Sequence, residues 1–257
     1  MAKIPCDVGT GATIIGRMKV GFFITCLVDL MRPRIGLAAI RLIESAGFEV
    51  EVPMAQTCCG QPAYNSGDRA TAQALARKLL DEFERYDYVV MPSGSCGGMV
   101  RTHYHELLAD DPELSYRYAR LQPKVYELTQ FLVEVAGVTD VPGRYDGEVT
   151  YHDSCAGLRE LGIKQQPRAL LQHTGAKLKE MAQCEQCCGF GGTFSVKYGD
   201  ISAAIADEKC EHIAASGTGA VVLGDLGCML HLEGRLRRRG DTTTRVIHIA
   251  EILAGEA

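Results

Sequence analysis

The chain contains the same cysteine pattern twice, and this repeat limits its possible fold more than any other feature. Each half has a Cys-Cys-Gly motif, which begins at Cys58 in the first half and at Cys187 in the second. One cysteine precedes each motif by thirty-two residues, and another follows the pair by thirty-seven or forty residues. We call the two groups the first cysteine set (Cys26, Cys58, Cys59 and Cys96) and the second cysteine set (Cys155, Cys187, Cys188 and Cys228).

Four thiols in a set are the number that a tetrahedral metal ion or a cubane iron–sulfur cluster requires. A free cysteine taken alone is often only a small buried apolar residue. Two sets that share their first spacing favour metal ligands over that interpretation. Disulfides are typical of short secreted chains. They do not suit a chain of 257 residues with an odd number of cysteines, 11, and no secretory start.

A few further residues stand next to the sets. Cys184 lies three residues before Cys187, a spacing used by metal ligands, so it is either a spare ligand or a loop cysteine. His152 and Asp153 precede Cys155; they either orient the site and relay a proton or have a purely structural role. Gly60 and Gly189 follow the cysteine pairs, where glycine allows the backbone to approach a bulky inorganic group.

Charge and apolar pattern narrow the class of protein. A net charge of −5 argues against a nucleic-acid-binding surface, which would be basic. The sequence has no run of 18 apolar residues, so we expect no transmembrane segment. Many unpaired cysteines suit the reducing cytoplasm, which is the expected location. Residues 1–17 lack the apolar core of a signal peptide and are expected to form a flexible leader.

Short apolar runs alternate with amphipathic segments, which predicts an α/β fold with parallel sheets. Each cysteine of the two sets falls just after an expected strand, hence at the carboxyl end of a sheet, where such folds bind ligands. The matched spacings predict two duplicated units, residues 18–145 and 146–257, related by an approximate two-fold axis. Residues 124–135 are expected to be helical, and residues 178–181 to form a short strand.

Four longer runs carry a resemblance to a known family. They are Phe-Ile-Thr-Cys-Leu-Val-Asp-Leu at 23–30, Gln-Thr-Cys-Cys-Gly-Gln-Pro-Ala-Tyr-Asn-Ser-Gly at 56–67, Pro-Ser-Gly-Ser-Cys at 92–96 and Cys-Cys-Gly-Phe-Gly-Gly-Thr-Phe-Ser-Val-Lys-Tyr at 187–198. The chain resembles the cysteine-rich Cys-Cys-Gly domain family, which occurs in a cysteine-rich component of heterodisulfide reductase and in the iron–sulfur subunit of glycolate oxidase. Within that family it is most similar to the lactate utilization protein A subgroup.

The resemblance implies an iron–sulfur electron-transfer subunit, rather than a complete enzyme, in a complex that oxidises L-lactate to pyruvate. It implies [4Fe–4S] clusters and two partners, a ferredoxin-like iron–sulfur protein and a small third subunit. Such an oxidoreductase subunit is not expected to be active alone. A redox subunit like that of heterodisulfide reductase or of glycolate oxidase is the alternative within the same family.

The sequence departs from the family pattern at two kinds of position. The family has a fifth cysteine three residues after the fourth; here Met99 and His231 occupy those positions. Ala156 stands where relatives often have histidine. Met99 and His231 are therefore possible accessory ligands, or they pack beside the site. Ligation by His231 would make the second centre differ from the first, because imidazole in place of thiolate raises the potential of a cluster.

A structural or regulatory zinc protein is the main alternative from a different functional class. The same eight thiols could close two sites with four cysteines each, and tetrahedral sulfur does not distinguish zinc from iron. Common zinc modules bring their ligands in closely spaced Cys-x-x-Cys pairs. The wide spacing of the two sets favours iron.

Overall fold

The structure, a computed structural model, describes residues 18–257; the expected leader at 1–17 lies outside the described residues. The described part of the chain forms two parallel sheets of four strands each. The strands of the first sheet are β1 (Lys19–Phe22), β2 (Glu49–Glu51), β3 (Tyr88–Met91) and β4 (Val125–Glu127). Those of the second sheet are β5 (Glu148–Tyr151), β6 (Lys177–Leu178), β7 (Ala220–Leu223) and β8 (Arg245–His248).

The two sheets have the same topology. The strand order is β2-β1-β3-β4 in the first and β6-β5-β7-β8 in the second. In the first sheet Val20 pairs with both Val50 and Tyr88. In the second, Val149 occupies the corresponding central position. The predicted duplication of one parallel α/β unit is confirmed.

Helices connect the strands in both units. Those of the first unit are α1 (Cys26–Met31), α2 (Pro33–Ser45), α3 (Gln61–Asn65), α4 (Arg69–Phe83), α5 (Gly94–Gly98), α6 (Tyr104–Leu107), α7 (Pro112–Leu121) and α8 (Leu128–Gln130). Wider or tighter helical turns cover Met99–His103, Gln122–Lys124 and Phe131–Val135. Those of the second unit are α9 (Cys155–Arg159), α10 (Gln165–Thr174), α11 (Thr193–Lys197), α12 (Gly199–Ser216), α13 (Leu226–Arg238) and α14 (Ile249–Ala254). Among residues 18–257, no helix combines the length and apolar character needed to cross a bilayer.

Local sequence signals account for several helix ends. Pro33 opens α2, where a missing N–H costs nothing. Asp68 caps α4, and its Oδ1 accepts a hydrogen bond from the Thr71 N–H at 3.1 Å. Gly175 and Gly217 end α10 and α12 in the left-handed conformation, which glycine adopts without steric cost.

The expected helix over residues 124–135 is wrong at its start. Val125–Glu127 forms β4, which pairs with β3 through Val89 and Val125, and a helix begins only at Leu128. Glu127 sets this boundary because its Oε2 accepts from the N–H groups of Thr129 and Gln130, at 2.7 and 3.2 Å. A three-residue apolar strand that leads directly into a helix has no periodicity of its own to distinguish it.

The short strand expected at residues 178–181 is also displaced. The structure has β6 at Lys177–Leu178, and the chain leaves the sheet before Met181. The Met181 N–H instead donates to Thr150 Oγ1 at 3.0 Å. A side chain from the neighbouring strand therefore ends the ladder, which sequence pattern does not show.

Contacts between the units are reciprocal, as an approximate two-fold axis requires. Helix α5, after the third strand of the first unit, packs on α9, after the first strand of the second. Helix α13, the counterpart of α5, packs on α1, the counterpart of α9. Helix α14 of the second unit contacts α2 of the first, and α8 of the first unit contacts α10 of the second, so this pair of contacts is reciprocal as well. The predicted two-fold relation is confirmed.

The axis passes close to the ends of β3 and β7. The Gly94 N–H donates to the Gly224 carbonyl at 3.3 Å. A Cβ at Gly94 would lie 2.6 Å from Ser154 Oγ and 3.0 Å from the Gly157 Cα, so only glycine permits this approach. One buried apolar cluster contains Val20 and Phe22 of the first unit together with Val149 and Val221 of the second. The loops that follow the strands of both units therefore meet at this axis.

Candidate functional site

The first cysteine set converges from three separate strand ends. Cys26 is the first residue of α1, Cys58 and Cys59 precede α3, and Cys96 lies in the first turn of α5. The thiols form a row in which Cys58 is next to both Cys26 and Cys59, and Cys59 is next to Cys96. Residues far apart in the chain thus come together at the carboxyl edge of the sheet, as the sequence predicts.

The second cysteine set repeats this arrangement. Cys155 begins α9, Cys187 and Cys188 lie in the loop before α11, and Cys228 lies in the first turn of α13. Cys187 is hydrogen bonded to Cys155 and Cys188, and Cys188 is hydrogen bonded to Cys228. All eight cysteines are therefore collected into two groups with the same order of contacts.

One thiol in each set favours the thiolate. Hydrogen bonds from Cys26 and Cys59 lower the pKa of Cys58 to about 3. Hydrogen bonds from Cys155 and Cys188 likewise hold the pKa of Cys187 far below its ordinary value. Their neighbours shift the other way: the hydrogen bond to Cys58 and burial raise the pKa of Cys26. A metal centre that used all four sulfurs would displace the remaining protons of the set.

Backbone N–H groups also point at the sulfurs. Gly60 donates to Cys58 Sγ at 3.4 Å, and Gly189 donates to Cys187 Sγ at 3.3 Å. Both glycines have left-handed backbones, with φ of +86° and +88°, which side chains would strain. Phe190 adds a third donor, to Cys188 Sγ at 3.5 Å. Such bonds stabilise negative charge on sulfur and are one of the means by which proteins set cluster potentials.

Asp225 joins the two sets. Its Oδ1 accepts from the N–H groups of Gly227 and Cys228, at 3.0 and 3.4 Å, and so caps α13. Its Oδ2 accepts from Ser93 Oγ at 3.0 Å and from the Ser95 N–H at 2.8 Å, in the cap of α5. One buried carboxylate therefore orients the helices that carry the fourth cysteine of both sets.

The surroundings of the two sets differ at equivalent positions. Three residues before the first cysteine stands Phe23 in the first unit and His152 in the second, and both are buried. At the position twenty-two residues after the first cysteine of each pair, the first unit has Leu80 and the second has Lys209. Both side chains are fully buried. The first set thus borders an apolar core, whereas the second borders an imidazole and an ammonium group.

His152 is the most unusual polar group at the second set. It is fully buried, and neither ring nitrogen has a hydrogen-bond partner among the described residues. Burial lowers its pKa to about 3, so the ring is neutral. One of its nitrogens and the sulfurs of Cys188 and Cys228 all lie within 4.8 Å of one another.

Asp153 contacts Arg168, although its neighbour in sequence is His152. The carboxylate of Asp153 accepts a two-pronged ion pair from Arg168, with both N–O distances at 2.8 Å. Burial opposes the charge of Arg168, but hydrogen bonds to Asp153 and Glu180 raise its pKa. Asp153 thereby ties the end of β5 to α10, which is a supporting contact.

Cys184 lies beside this ion pair. Burial raises the pKa of its thiol, with further contributions from the nearby carboxylates of Asp153 and Glu180. The Cys184 carbonyl accepts from the Asp153 N–H at 3.2 Å and from Lys209 Nζ at 3.3 Å. Its use as a spare ligand stays a prediction.

The two residues at the fifth-cysteine positions have different surroundings. Met99 is fully buried in the apolar cluster that includes Cys59. His231 is partly exposed, and its Nε2 lies 3.2 Å from Ser202 Oγ, which donates to the Gly189 carbonyl at 2.8 Å. Ala156 is buried in α9. His231 thus braces the second Cys-Cys-Gly loop; ligation by His231 or Met99 stays a prediction.

A cavity of about 250 Å³ opens beside the first set, between the units. Cys26, Cys58, Cys59 and Cys96 line one side. Phe190, Thr193, Val196 and Leu226 of the second unit line the other. The first set is therefore reached through a largely apolar opening to which both units contribute.

Sequence reasoning missed Lys209, Arg168 and Asp225. Lys209 shares a helix face with the buried Ala206, Cys210 and Ile213, so a charged residue on an apolar stripe was the available signal. Asp225 stands three residues before Cys228, where a helix cap is expected. Arg168 offered no signal, since its partner Asp153 is identified only by the ion pair that forms in the folded protein.

The donor sets fit metal or cluster binding. Each has four convergent sulfurs, one of them disposed to ionise, with backbone N–H donors aimed at the thiolate. Helix N-termini contribute positive ends at Cys26 and Cys155. Soft thiolates in such numbers suit zinc and iron–sulfur clusters rather than hard cations.

Comparison with known proteins agrees with the duplicated fold. The family described as "Cysteine-rich domain" matches residues 20–101 and 149–233, one match in each unit. Among solved structures, a hypothetical protein from Helicobacter pylori superposes with a TM-score of 0.66 at 12% identity, over 94% of this chain and 50% of that one. This likeness shows the fold alone. The protein is thus a duplicated cysteine-rich domain protein.

Curated relatives narrow the family. Lactate utilization protein A of Geobacillus kaustophilus is 47% identical over 237 residues, which cover 92% of this chain and 98% of the relative. Lactate utilization protein A 2 of Bacillus cereus is 43% identical over 238 residues, with the same coverage. The chain belongs to the lactate utilization protein A family, as its sequence motifs predict.

Proposed function

We propose that the chain is an iron–sulfur electron-transfer subunit of a complex that oxidises L-lactate to pyruvate. The matched convergence of two four-thiol sets carries this proposal, and the names of the relatives supply the substrate. In the proposal Cys26, Cys58, Cys59 and Cys96 bind one centre, and Cys155, Cys187, Cys188 and Cys228 bind the other. The most suitable group is a [4Fe–4S] cluster in each set.

The chemistry of the reaction suits such a subunit. Oxidation of lactate to pyruvate releases two electrons and two protons, and an iron–sulfur centre, when bound, supplies steps of one electron. The chain's own residues would hold the centres through thiolates and stabilise their negative charge. Gly60 and Gly189 direct N–H groups at the sulfurs, and Asp225 orients the helices of both fourth cysteines.

The cavity beside the first set supports an electron-transfer role over a self-contained active site. A lactate carboxylate is best bound by arginine or lysine. The described residues that line the cavity include no arginine, lysine or histidine, and their one carboxylate is that of Asp225. Lactate would then bind outside this cavity, and the first centre would pass electrons on.

The proposal extends to the partners and the cellular location of the protein. A ferredoxin-like iron–sulfur protein and a small third subunit would be its partners. The cytoplasm would be its location, because free thiols persist there. The two sequence units, residues 18–145 and 146–257, would each carry one centre.

Metal analysis tests the proposal. The protein, purified without oxygen or reconstituted with ferrous iron and sulfide, is expected to be brown. It should contain about four iron and four sulfide for each occupied set. Colourless protein that holds stoichiometric zinc and no sulfide after anaerobic handling would instead establish the zinc protein.

Substitution of single cysteines assigns the centres. Cys96→Ser is expected to remove the paramagnetic signal of the reduced first centre, and Cys228→Ser that of the second. Cys210→Ala is the matched control, because Cys210 is buried in α12 among apolar residues outside the two sets. An equal loss of iron in the control would show that the two ligand variants act through general misfolding.

A further inference from the structure

We propose that His152 is a direct ligand of the second metal centre, which is therefore a mixed histidine–cysteine site, whereas the first centre is bound by thiols. The inference rests on the proposed function only in taking the second cysteine set as a metal site. It concerns a residue that the spacing of the cysteines does not assign.

The first argument is the unsatisfied imidazole. A buried polar group without a partner costs about 1–3 kcal/mol, so native structures contain few. His152 has two unpartnered nitrogens inside the described part of the chain and no exposure to solvent. A metal ion bound in the functional state removes the part of this cost that belongs to one nitrogen, because a ring nitrogen binds a metal ion through its lone pair.

The second argument is position. A ring nitrogen of His152 and the sulfurs of Cys188 and Cys228 lie within 4.8 Å of one another. These atoms are close enough that a small closing of the group would let one metal ion contact all three at ordinary Zn–N and Zn–S distances of about 2.0 and 2.3 Å. Cys188 is in turn hydrogen bonded to Cys187, so the imidazole joins the row of thiols rather than an isolated pair.

The third argument is the comparison between the two units. Phe23 occupies the equivalent position before Cys26, and it is as deeply buried as His152. The packing of this fold therefore accepts an apolar ring there. Packing alone therefore does not require an imidazole at the position of His152. Its presence beside the second set points to a role in binding the metal.

The fourth argument compares His152 with the other histidine near the second set. His231 Nε2 lies 3.2 Å from Ser202 Oγ. The single Ser202 proton goes to the Gly189 carbonyl, so His231 must donate to Ser202. This contact leaves the Nδ1 lone pair of His231 free. Among the described residues, however, it is His152 that has a ring nitrogen within 4.8 Å of the sulfurs of both Cys188 and Cys228.

A [4Fe–4S] cluster takes four protein ligands, so in that case His152 would take the place of one of the four thiolates, and this exchange raises the potential of the centre. The second centre would therefore be the better electron acceptor of the two. Electrons that enter at the first set, beside the open cavity, would move toward the buried second set within one chain.

The test uses the full chain with Cys58→Ser as the parent, so that the first set lacks its central thiol and signals come from the second set. The protein is labelled with ¹⁵N-histidine, loaded with iron and sulfide, reduced and examined by pulsed electron paramagnetic resonance. We expect a strongly coupled nitrogen in the parent, its loss in His152→Phe and its retention in His231→Ala. A parent without coupled nitrogen, or coupling that survives His152→Phe, overturns the inference.

Two further measurements separate this inference from the proposed function. If the parent takes up no iron or sulfide, the iron–sulfur proposal fails. Zinc binding to the metal-free protein then tests whether His152 is a metal ligand. His152→Phe should weaken zinc binding at least tenfold, while His231→Ala should change it less. Unchanged zinc affinity in His152→Phe counts against ligation.

The stability of the metal-free variants distinguishes the loss of a metal ligand from misfolding. Because His152→Phe removes an unpartnered polar group and installs the ring of the equivalent position, its urea midpoint should equal or exceed that of the parent. A marked fall would give His152 a structural role and argue against the inference. If the phenylalanine variant does not fold, His152→Met provides the same comparison with a flexible side chain.

Discussion

Lys209 is the residue that most clearly separates the second cysteine set from the first. It is fully buried, and its Nζ donates to the carbonyls of Gln183 and Cys184 in the loop before the cysteine pair. Burial lowers its pKa, while the negative charge that Cys184 and Cys188 carry when ionised opposes that shift. A buried cation so close to a group of thiolates offsets part of the cost of gathering negative charge there.

Removal of that cation should weaken the second centre. For Lys209→Met we expect a roughly tenfold or greater loss of zinc affinity at the second set. At an effective dielectric constant near 20, charges a few ångströms apart interact by about 2–4 kcal/mol. The measurement is chelator competition with the metal-free protein, and the matched control is Leu80→Met at the equivalent position of the first unit. An equal loss in both variants would show that packing, not charge, is responsible.

Among the secondary-structure elements, α5 and α13 depend on one side chain for their caps. Asp225 accepts hydrogen bonds from Gly227 and Cys228 in α13 and from Ser93 and Ser95 at α5. Loss of a capping side chain usually costs about 0.5–2 kcal/mol for one helix. Here two helices, one from each unit, share the carboxylate.

Asp225→Ala should therefore lower the free energy of unfolding by about 2–4 kcal/mol, since it leaves buried donors of two caps unpaired. Urea denaturation of the metal-free protein measures this. Ser93→Ala is the graded control and should cost about 1 kcal/mol, because it removes one of the hydrogen bonds to Asp225 and the long bond that Ser93 Oγ accepts from the Cys96 N–H, but keeps the carboxylate. A smaller effect for Asp225→Ala than for Ser93→Ala would contradict the shared cap.

For the molecule as a whole, Glu127 makes stability depend on pH. It is fully buried at the contact between the units, where it borders Tyr151 and Gly224. Burial raises its pKa from 4.5 to about 7, although hydrogen bonds from Thr129 and Gln130 oppose the shift. Between these two values the folded protein keeps a proton that the unfolded chain releases, so this contribution to stability falls as pH rises.

Glu127→Gln should remove that dependence. Relative to the wild type, the variant is expected to gain up to about 3 kcal/mol of stability as pH rises from about 4.5 to about 7, and to show no such gain at lower pH. Parallel urea titrations at several pH values measure the difference. His152 and His248, whose pKa values burial lowers, act in the opposite direction but are common to both proteins. A constant difference across this range would contradict a raised pKa for Glu127.

The two units should also unfold together. Their apolar residues share one buried cluster, and α14 at the end of the chain packs on α2 near its beginning. We expect circular dichroism and tyrosine fluorescence of the metal-free protein to give one coincident transition. Fragments 18–145 and 146–257 should not fold separately, because each would expose its half of the cluster. Two resolved transitions would establish independent domains.

The class of fold, the duplication and the two cysteine groups could all be predicted from the sequence. Those predictions depend on local pattern: short apolar runs, capping residues such as Asp68, and spacings that place Cys26 and Cys155 directly after equivalent strands. Parallel sheets bring such strand ends to one edge, so the convergence of each set follows from the pattern alone.

The differences between the two sites, by contrast, arise from tertiary packing. Strand β4 replaces the start of an expected helix because pairing with β3 and the cap by Glu127 outweigh a weak local signal. Asp153 is bound to Arg168, His231 to Ser202, and His152 to no described residue. Such partners come from helices distant in sequence, and their identity depends on packing angles that no local pattern encodes. The physical reason is that the chemistry of a buried polar group depends on what faces it across the core.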